Sequence, residues 1–257
     1  MDGKQKTDKW FVMECFAKAI GTYDRSASVQ KNVAASLAAL MRSSHFPTGA
    51  TIYEPGAGTG LMTARLAGEF APKRLIANDL CWGCAGPISR ASDGKAEFIS
   101  GDAETLPVPE GTEAVVSCST VHWFEDKPAF FKKIADALAD GGFFAFSTFG
   151  LDNLREVREL GHAGLEYDSA DEYETMLRNA GFRIVASADA PERIYFPNMR
   201  ALLAHFRETG VGGIRHDKWD LRESMRFRHE YERRFRSADG LALTYHPLCF
   251  VCVKTTH

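Results

Sequence analysis

Apolar residues recur at helical spacing in residues 9–20 (KWFVMECFAKAI) and 29–41 (VQKNVAASLAALM), with the polar stretch GTYDRSAS between them. The spacing predicts two amino-terminal helices joined by a turn, spanning residues 1–45. From residue 51 the pattern changes to short apolar runs alternating with longer helical ones. Strands are predicted at 51–55, 74–79, 98–100, 114–119, 143–149, 182–187 and 243–253, and helices at 61–70, 126–141, 153–160 and 171–180. Strands alternating with helices predict an α/β fold with a largely parallel, Rossmann-like, seven-stranded sheet. The helix at 126–141 carries the clearest boundaries, with Asp126 as cap, Pro128 in the first turn and Gly141 at the end.

Between the sixth and seventh strands, residues 197–236 read as a helical insertion. It holds ten Lys/Arg against six Asp/Glu, four positive charges in excess, in a chain whose net charge is −3. A solvated face or a docking surface for an acidic partner fits that excess. Nucleic acid fits poorly, because the whole chain is acidic and carries no known reading module. We read residues 1–257 as one domain, a length that allows a large α/β core with a modest insertion.

Composition changes this picture little. With 45% hydrophobic and 25% charged residues the chain reads as ordinary soluble protein. It has no apolar run near the roughly 20 residues of a membrane helix. The polar start MDGKQKTDKW lacks the apolar region of a signal peptide, so a cytoplasmic location is expected. Two C-x-x-C pairs, Cys81/Cys84 and Cys249/Cys252, have the spacing of a four-thiolate zinc site or a redox pair. A strand sends residues three apart to opposite faces, so Cys249 and Cys252 should not converge, and no metal site is expected.

The chemistry concentrates in TIYEPGAGTG, residues 51–60, where a strand ends in Glu54 and Gly56, Gly58 and Gly60 follow at every second position. Glycine permits positive φ and close approach of backbone to a ligand. A dinucleotide fingerprint wants its third glycine where Leu61 stands, and a P-loop wants a lysine after Gly60. Both are disfavoured. What remains resembles the first motif of the S-adenosylmethionine-dependent methyltransferases. Asp79 ends the second strand, 25 residues beyond Glu54, where an acid can accept from two ribose hydroxyls; capping a helix is its alternative role.

Several longer stretches narrow the resemblance: FAKAIGTYDRSASVQ (16–30), GDAETLP (101–107), STVHWFED (119–126), FSTFGLDNLREVREL (146–160), LLAHFRETGVGG (202–213) and LTYH (243–246). The chain resembles the malonyl-acyl-carrier-protein O-methyltransferase family of biotin synthesis, within the class I methyltransferases. It departs from the family at DLCWGC after the second strand and at STVHW. The resemblance implies S-adenosylmethionine bound by Gln30, Glu54, Gly56, Ala57, Gly58, Gly60, Asp79, Leu80, Asp102, Ala103 and Ser117. It implies methyl transfer to the malonyl carboxylate on an acidic acyl carrier protein. Tyr23, Trp123, Arg155 and Tyr245 are the candidates for shaping the acceptor side. A carboxylate is already ionised at neutral pH, so the reaction needs position more than a base. Rival readings are a small-molecule methyltransferase, a hydroxylase or assembly factor on the same fold, and a silent cofactor-binding module.

Overall fold

The computed structural model describes residues 9–161, 165–210 and 220–255. Helices α1 (Lys9–Ser26) and α2 (Ser28–Ser43) precede β1 (Thr51–Pro55), α3 (Leu61–Arg65, continued by a π-helical turn, Leu66–Phe70), β2 (Arg74–Asp79) and α4 (Ala85–Ala91). Next come β3 (Ala96–Ser100), β4 (Ala114–Ser117), α5 (Lys127–Ala137), β5 (Phe143–Phe149), α6 (Arg155–Arg158), α7 (Ala170–Asn179) and β6 (Phe182–Asp189). The remainder is β7 (Glu192–Phe196), α8 (Met199–Thr209), α9 (Leu221–Phe235), β8 (Arg236–Ser237), β9 (Gly240–Tyr245) and β10 (Pro247–Lys254).

Seven strands form one sheet in the order β3-β2-β1-β4-β5-β10-β6. The pairs among β1 to β5 are parallel, whereas β10 runs antiparallel to both β5 and β6. Alternate residues feed two cores, one on each face. Ile52, Val116, Ala145 and Val251 pack with Val33, Leu37 and Met41 of α2. Tyr53, Val115, Phe144, Phe146 and Phe250 pack with Phe130, Phe131 and Ile134 of α5 and Tyr173 and Leu177 of α7. A sheet covered on both faces explains strands that read as continuous apolar runs rather than alternating ones. Because β2 and β3 lie on one side of β1 and β4 and β5 on the other, the strand order reverses at β1/β4, and a crevice opens beyond their carboxyl ends.

Four expectations need correction. The stretch GTYDRSAS is not a turn: α1 runs to Ser26, and only Ala27 (φ −86°, ψ 49°) leaves helical geometry. Backbone bonds bridge the break, Ala27 N donating to Tyr23 O at 2.8 Å and Lys31 N to Ala27 O at 3.0 Å. The Phe16 and Tyr23 rings pack 5.1 Å apart along that helix, and Thr59 on Asp24 and Glu208 on Ser26 tie the polar stretch to other elements, so tertiary contact overrides the polar composition. The predicted strand 243–253 is two strands in two sheets: β9 joins β7 and β8, β10 joins the main sheet, and His246 is the corner. Helix α6 keeps only the middle of the predicted 153–160, because Leu154 is left-handed (φ 51°). Finally, α5 ends at Ala137, and Gly141 (φ 80°) turns the chain into β5 instead of capping the helix.

The insertion contains α8 and α9, with the unforeseen strand β7 just before it. Arg215, Asp217 and Lys218 of the basic stretch lie outside the described residues. Leu202 and Phe206 of α8 and Phe227 and Tyr231 of α9 join the α2-side core. No helix among the described residues is long and apolar enough to cross a membrane. Cys249 lies in the α2-side core and Cys252 in the α5-side core, on opposite faces of the sheet.

Candidate active site

A cavity crosses the carboxyl ends of β3, β2, β1, β4 and β5, and α1 covers it with Lys9, Val12, Met13, Phe16 and Tyr23. The three glycines of the loop after β1 all have positive φ but do different work. At Gly56 a Cβ would sit 2.2 Å from Thr120, whose hydroxyl donates to Gly56 O at 3.0 Å. At Gly58, which lines the cavity, a Cβ would meet Phe16 of α1 at 3.3 Å. Gly60 does not line the cavity: its missing Cβ makes room for Ala91 of α4, 2.6 Å away, so it serves helix packing. Thr59 donates to Asp24 Oδ1 at 2.7 Å and ties α1 down onto this loop.

Three carboxylates stand at successive strand ends. Glu54 is buried; its Oε2 accepts from Thr63 Oγ1 at 2.7 Å, while Oε1 has no partner among the described residues. Burial, with a smaller contribution from Asp79, pushes its pKa up to about 8. Asp79 accepts from Gly58 N and Cys81 N, each at 2.8 Å, and burial raises its pKa as well. Asp102 accepts from Glu104 N at 2.9 Å and pairs with Lys9 Nζ at 2.7 Å, and Lys9 also pairs with Glu104. Ala57, Leu80, Ala103 and Gln30 complete this part of the lining. Gln30 is buried with Oε1 unpartnered.

Beyond β4 and β5 the lining turns neutral, with Ser119, His122, Trp123, Phe149, Asn153 and Tyr167. Ser117 does not reach the cavity; it is buried and donates to Pro55 O at 2.9 Å, bracing β4 against β1. Of the four acceptor-side candidates, Tyr23 and Trp123 line the cavity and Arg155 and Tyr245 do not. Arg155 points outward and pairs with Glu156 at 3.6 Å. Tyr245 is fully buried behind Gln30, and its hydroxyl is bonded at 2.7 Å to His205 Nε2. Lys9, Phe16, Asn153 and Tyr167 escaped sequence reading. Asn153 sits within FSTFGLDN, a signal that was available; nothing around Tyr167 marks it.

The motifs FSTFGLDNLREVREL and LTYH meet in space. Glu156 accepts from Thr244 N at 2.9 Å and Thr244 Oγ1 at 2.6 Å, and Gly150 N donates to His246 O at 2.7 Å. They clamp the exit of β5 to the β9/β10 corner and thereby place Asn153.

A buried oxygen on each of Glu54 and Gln30 without a partner among the described residues, and the side-chain-free backbone of Gly58 on the cavity wall under Phe16, fit a ligand bearing positive charge beside a flat adenosine. Residues 53–146 match a family described as "Methyltransferase domain". The malonyl-[acyl-carrier protein] O-methyltransferase of Bacteroides thetaiotaomicron is 34% identical over 261 residues, covering 96% of this chain and 98% of that protein. The chain belongs to the malonyl-acyl-carrier-protein O-methyltransferase family. A second member, from Bacteroides fragilis, is 36% identical, and the chain spans 51% of its length. Among solved structures, magnesium protoporphyrin IX methyltransferase of Synechocystis with bound S-adenosylhomocysteine is 12% identical, covers 90% of this chain and 86% of its own, and superposes with a TM-score of 0.59. The family's seven-stranded methyltransferase fold is therefore present, and S-adenosylmethionine is the cofactor its cavity suits.

Proposed function

We propose that this protein transfers the methyl group of S-adenosylmethionine to the free carboxylate of a malonyl thioester on an acidic acyl carrier protein, in the cytoplasm, as a step of biotin synthesis. The observation that carries this reading is family membership along 98% of the Bacteroides thetaiotaomicron relative, around a cavity that suits the cofactor. We take residues 1–257 as one domain with α1 and α2 as its lid, and a carrier protein rather than nucleic acid or a membrane as the partner.

In this reading Asp79 holds the ribose hydroxyls, Asp102 and Ala103 border the adenine, and the Gly56–Gly58 backbone lies against the ligand. The free oxygens of Glu54 and Gln30 face its amino-acid part. When bound, the cofactor supplies a sulfonium-activated methyl, so the ester O–C bond forms as the S–C bond breaks and no proton moves. The protein's task is then to exclude water and set the line of attack. Phe16 and Tyr23 of α1, with Trp123, close the cavity for that purpose.

His122 is not a base of useful strength. Burial first, and the Lys127 charge second, push its pKa down to about 3. The decisive experiment is mass spectrometry of malonyl carrier protein after incubation with the protein and S-adenosylmethionine. The expected result is a gain of one methylene mass on the malonyl arm; an unchanged malonyl carrier sinks the reading.

A further inference from the structure

The acceptor end of the cavity must bind an anion, yet the arginine expected to do so points elsewhere. Lys9 is the one Lys or Arg among the described lining residues, and it lies over β3, already paired with Asp102 and Glu104. Over β5 stand Asn153, Tyr167 and His122, all at least nine-tenths buried. Asn153 Oδ1 accepts from His246 N at 3.3 Å, which turns its amide NH2 away from the corner. Burial raises the Tyr167 pKa and the Asn153 side chain pulls it back, the action of an amide donor near the phenol oxygen, which leaves the phenol's own proton for another acceptor. The Arg158 guanidinium sits over the Tyr167 ring, 5.8 Å from the centroid, while its Nη2 donates to Leu151 O; it polarises the phenol from behind without lining the cavity.

His122 closes the group. Its ring packs against Trp123 and Phe149 at 5.0 Å and Tyr167 at 6.3 Å, and its Nδ1 has no hydrogen-bond partner among the described residues. An unpartnered buried nitrogen beside a cavity is a costly arrangement unless a ligand completes it.

We propose that Tyr167, Asn153 and His122 form the subsite for the acceptor carboxylate, a cluster of neutral donors that grips the anion without an arginine. This rests on the carboxyl-methylating function proposed above. The chemistry favours such a subsite. A bidentate guanidinium would occupy both oxygens and draw charge from the attacking atom. Neutral donors replace part of the water shell and leave one lone pair free for the methyl carbon. They also discriminate: once the carboxylate is esterified the anion is gone, charge-assisted bonds become ordinary ones, and product leaves.

Two substitutions test this. Tyr167→Phe removes the donor, and Asn153→Asp keeps the oxygen that His246 uses but sets a carboxylate where the amide was. Expected are a rise of about tenfold in KM for malonyl carrier protein with Tyr167→Phe, and a fall of about a hundredfold in kcat/KM with Asn153→Asp. The Kd for S-adenosylmethionine should stay within about twofold of wild type in both. Wild-type KM in both variants, or an equal loss of cofactor affinity, overturns the subsite. If Asn153→Asp fails to fold, Tyr167→Phe decides alone. A separate arm titrates the S-adenosylhomocysteine-loaded protein with malonate and with dimethyl malonate by saturation-transfer NMR. Preference for malonate that Tyr167→Phe abolishes supports the subsite even where malonyl carrier protein is not methylated, a result that sinks only the functional reading. Indifference between the two ligands overturns the subsite.

Discussion

The two ends of the cavity follow opposite electrostatic rules. Over β1, β2 and β3 three carboxylates converge, Glu54, Asp79 and Asp102, two of them with pKa values raised by burial. Over β4 and β5 the polar side chains are neutral: Ser119, His122, Asn153 and Tyr167. A cationic cofactor and an anionic acceptor need this division. Acids stabilise the positive ligand and would repel the acceptor; neutral donors can hold a carboxylate without quenching its attack. The lesson is that an anion site need not be found by searching for arginine.

Breaking the acidic end should have the largest effect. Asp79 supports the Gly58 and Cys81 backbone as well as the proposed ribose contact. Asp79→Ala therefore loses the loop's shape along with ligand bonds, about 3 kcal/mol or on the order of a hundredfold in cofactor affinity by calorimetry. Undiminished affinity would move the ribose elsewhere.

The raised pKa of Glu54 gives that end a pH signature. With a value near 8, Glu54 is mostly protonated at neutral pH in the free protein, and a positively charged ligand favours the ionised form. Binding should release a proton, and affinity should climb with pH by up to about tenfold per unit until about pH 8. The same shift lowers stability of the free protein as pH rises from about 4.5 to 8, since ionising the buried carboxyl costs free energy. Glu54→Gln should flatten both slopes. Calorimetry in buffers of different ionisation heat reads the proton directly; no release at pH 7 would place Glu54 outside the ligand's reach.

How much of this division was legible in the sequence depends on where its information lies. Strands β2 and β5 and the carboxylates could be read because each sits at a strand end marked by an apolar run, and glycines flag the loop. The Gly60 role was not legible, because packing against Ala91 depends on where α4 returns, a contact 31 residues away. Ser117 is the last residue of β4 and bonds Pro55 O, while Cys118 and Ser119, beyond the strand's end where Ser119 is left-handed, face the cavity. Arg155 and Tyr245, candidates for the acceptor side, stand outside the cavity lining. The β9/β10 corner at His246 and the left-handed Leu154 decided their directions, and neither carries a glycine or proline signal at the residue itself.

If the acceptor end is neutral, the attraction for an acidic carrier must come from outside the cavity. Helix α9 offers it unevenly. Arg233 and Arg234, and Arg236 just beyond its end, are paired with Glu230, Glu159 and Glu232. Arg222, Arg226 and Arg228 are exposed and have no ion pair among the described residues, and the apolar Leu221 and Met225 stand exposed beside them. The double reversal Arg222→Glu/Arg226→Glu should reduce kcat/KM for malonyl carrier protein by about tenfold at low salt, with the gap closing as salt is added. Turnover of malonyl-pantetheine should stay near wild type. An equal loss with both substrates would mean that the reversal damages the fold and says nothing of docking.

The smallest expected effect draws the border between the two ends most finely. Tyr245 touches the cavity only through Gln30. The Gln30 side chain acts on the Tyr245 phenol from one side, and on the other the phenol meets His205 Nε2, whose imidazole burial keeps neutral, its pKa lowered to about 4. A neutral ring nitrogen can accept the phenol proton, so the chain runs Gln30 amide to Tyr245 hydroxyl to His205, and Gln30 Oε1 is turned towards the cofactor part of the cavity. Tyr245→Phe breaks both links. Gln30 then loses its fixed orientation, worth about 1 kcal/mol or roughly fivefold in S-adenosylmethionine affinity, while KM for malonyl carrier protein stays unchanged. His205 is left buried without its partner, so the melting temperature should fall too. A rise in malonyl KM with cofactor affinity intact would show that Tyr245 serves the acceptor after all, and the border would have to be redrawn on the far side of Gln30.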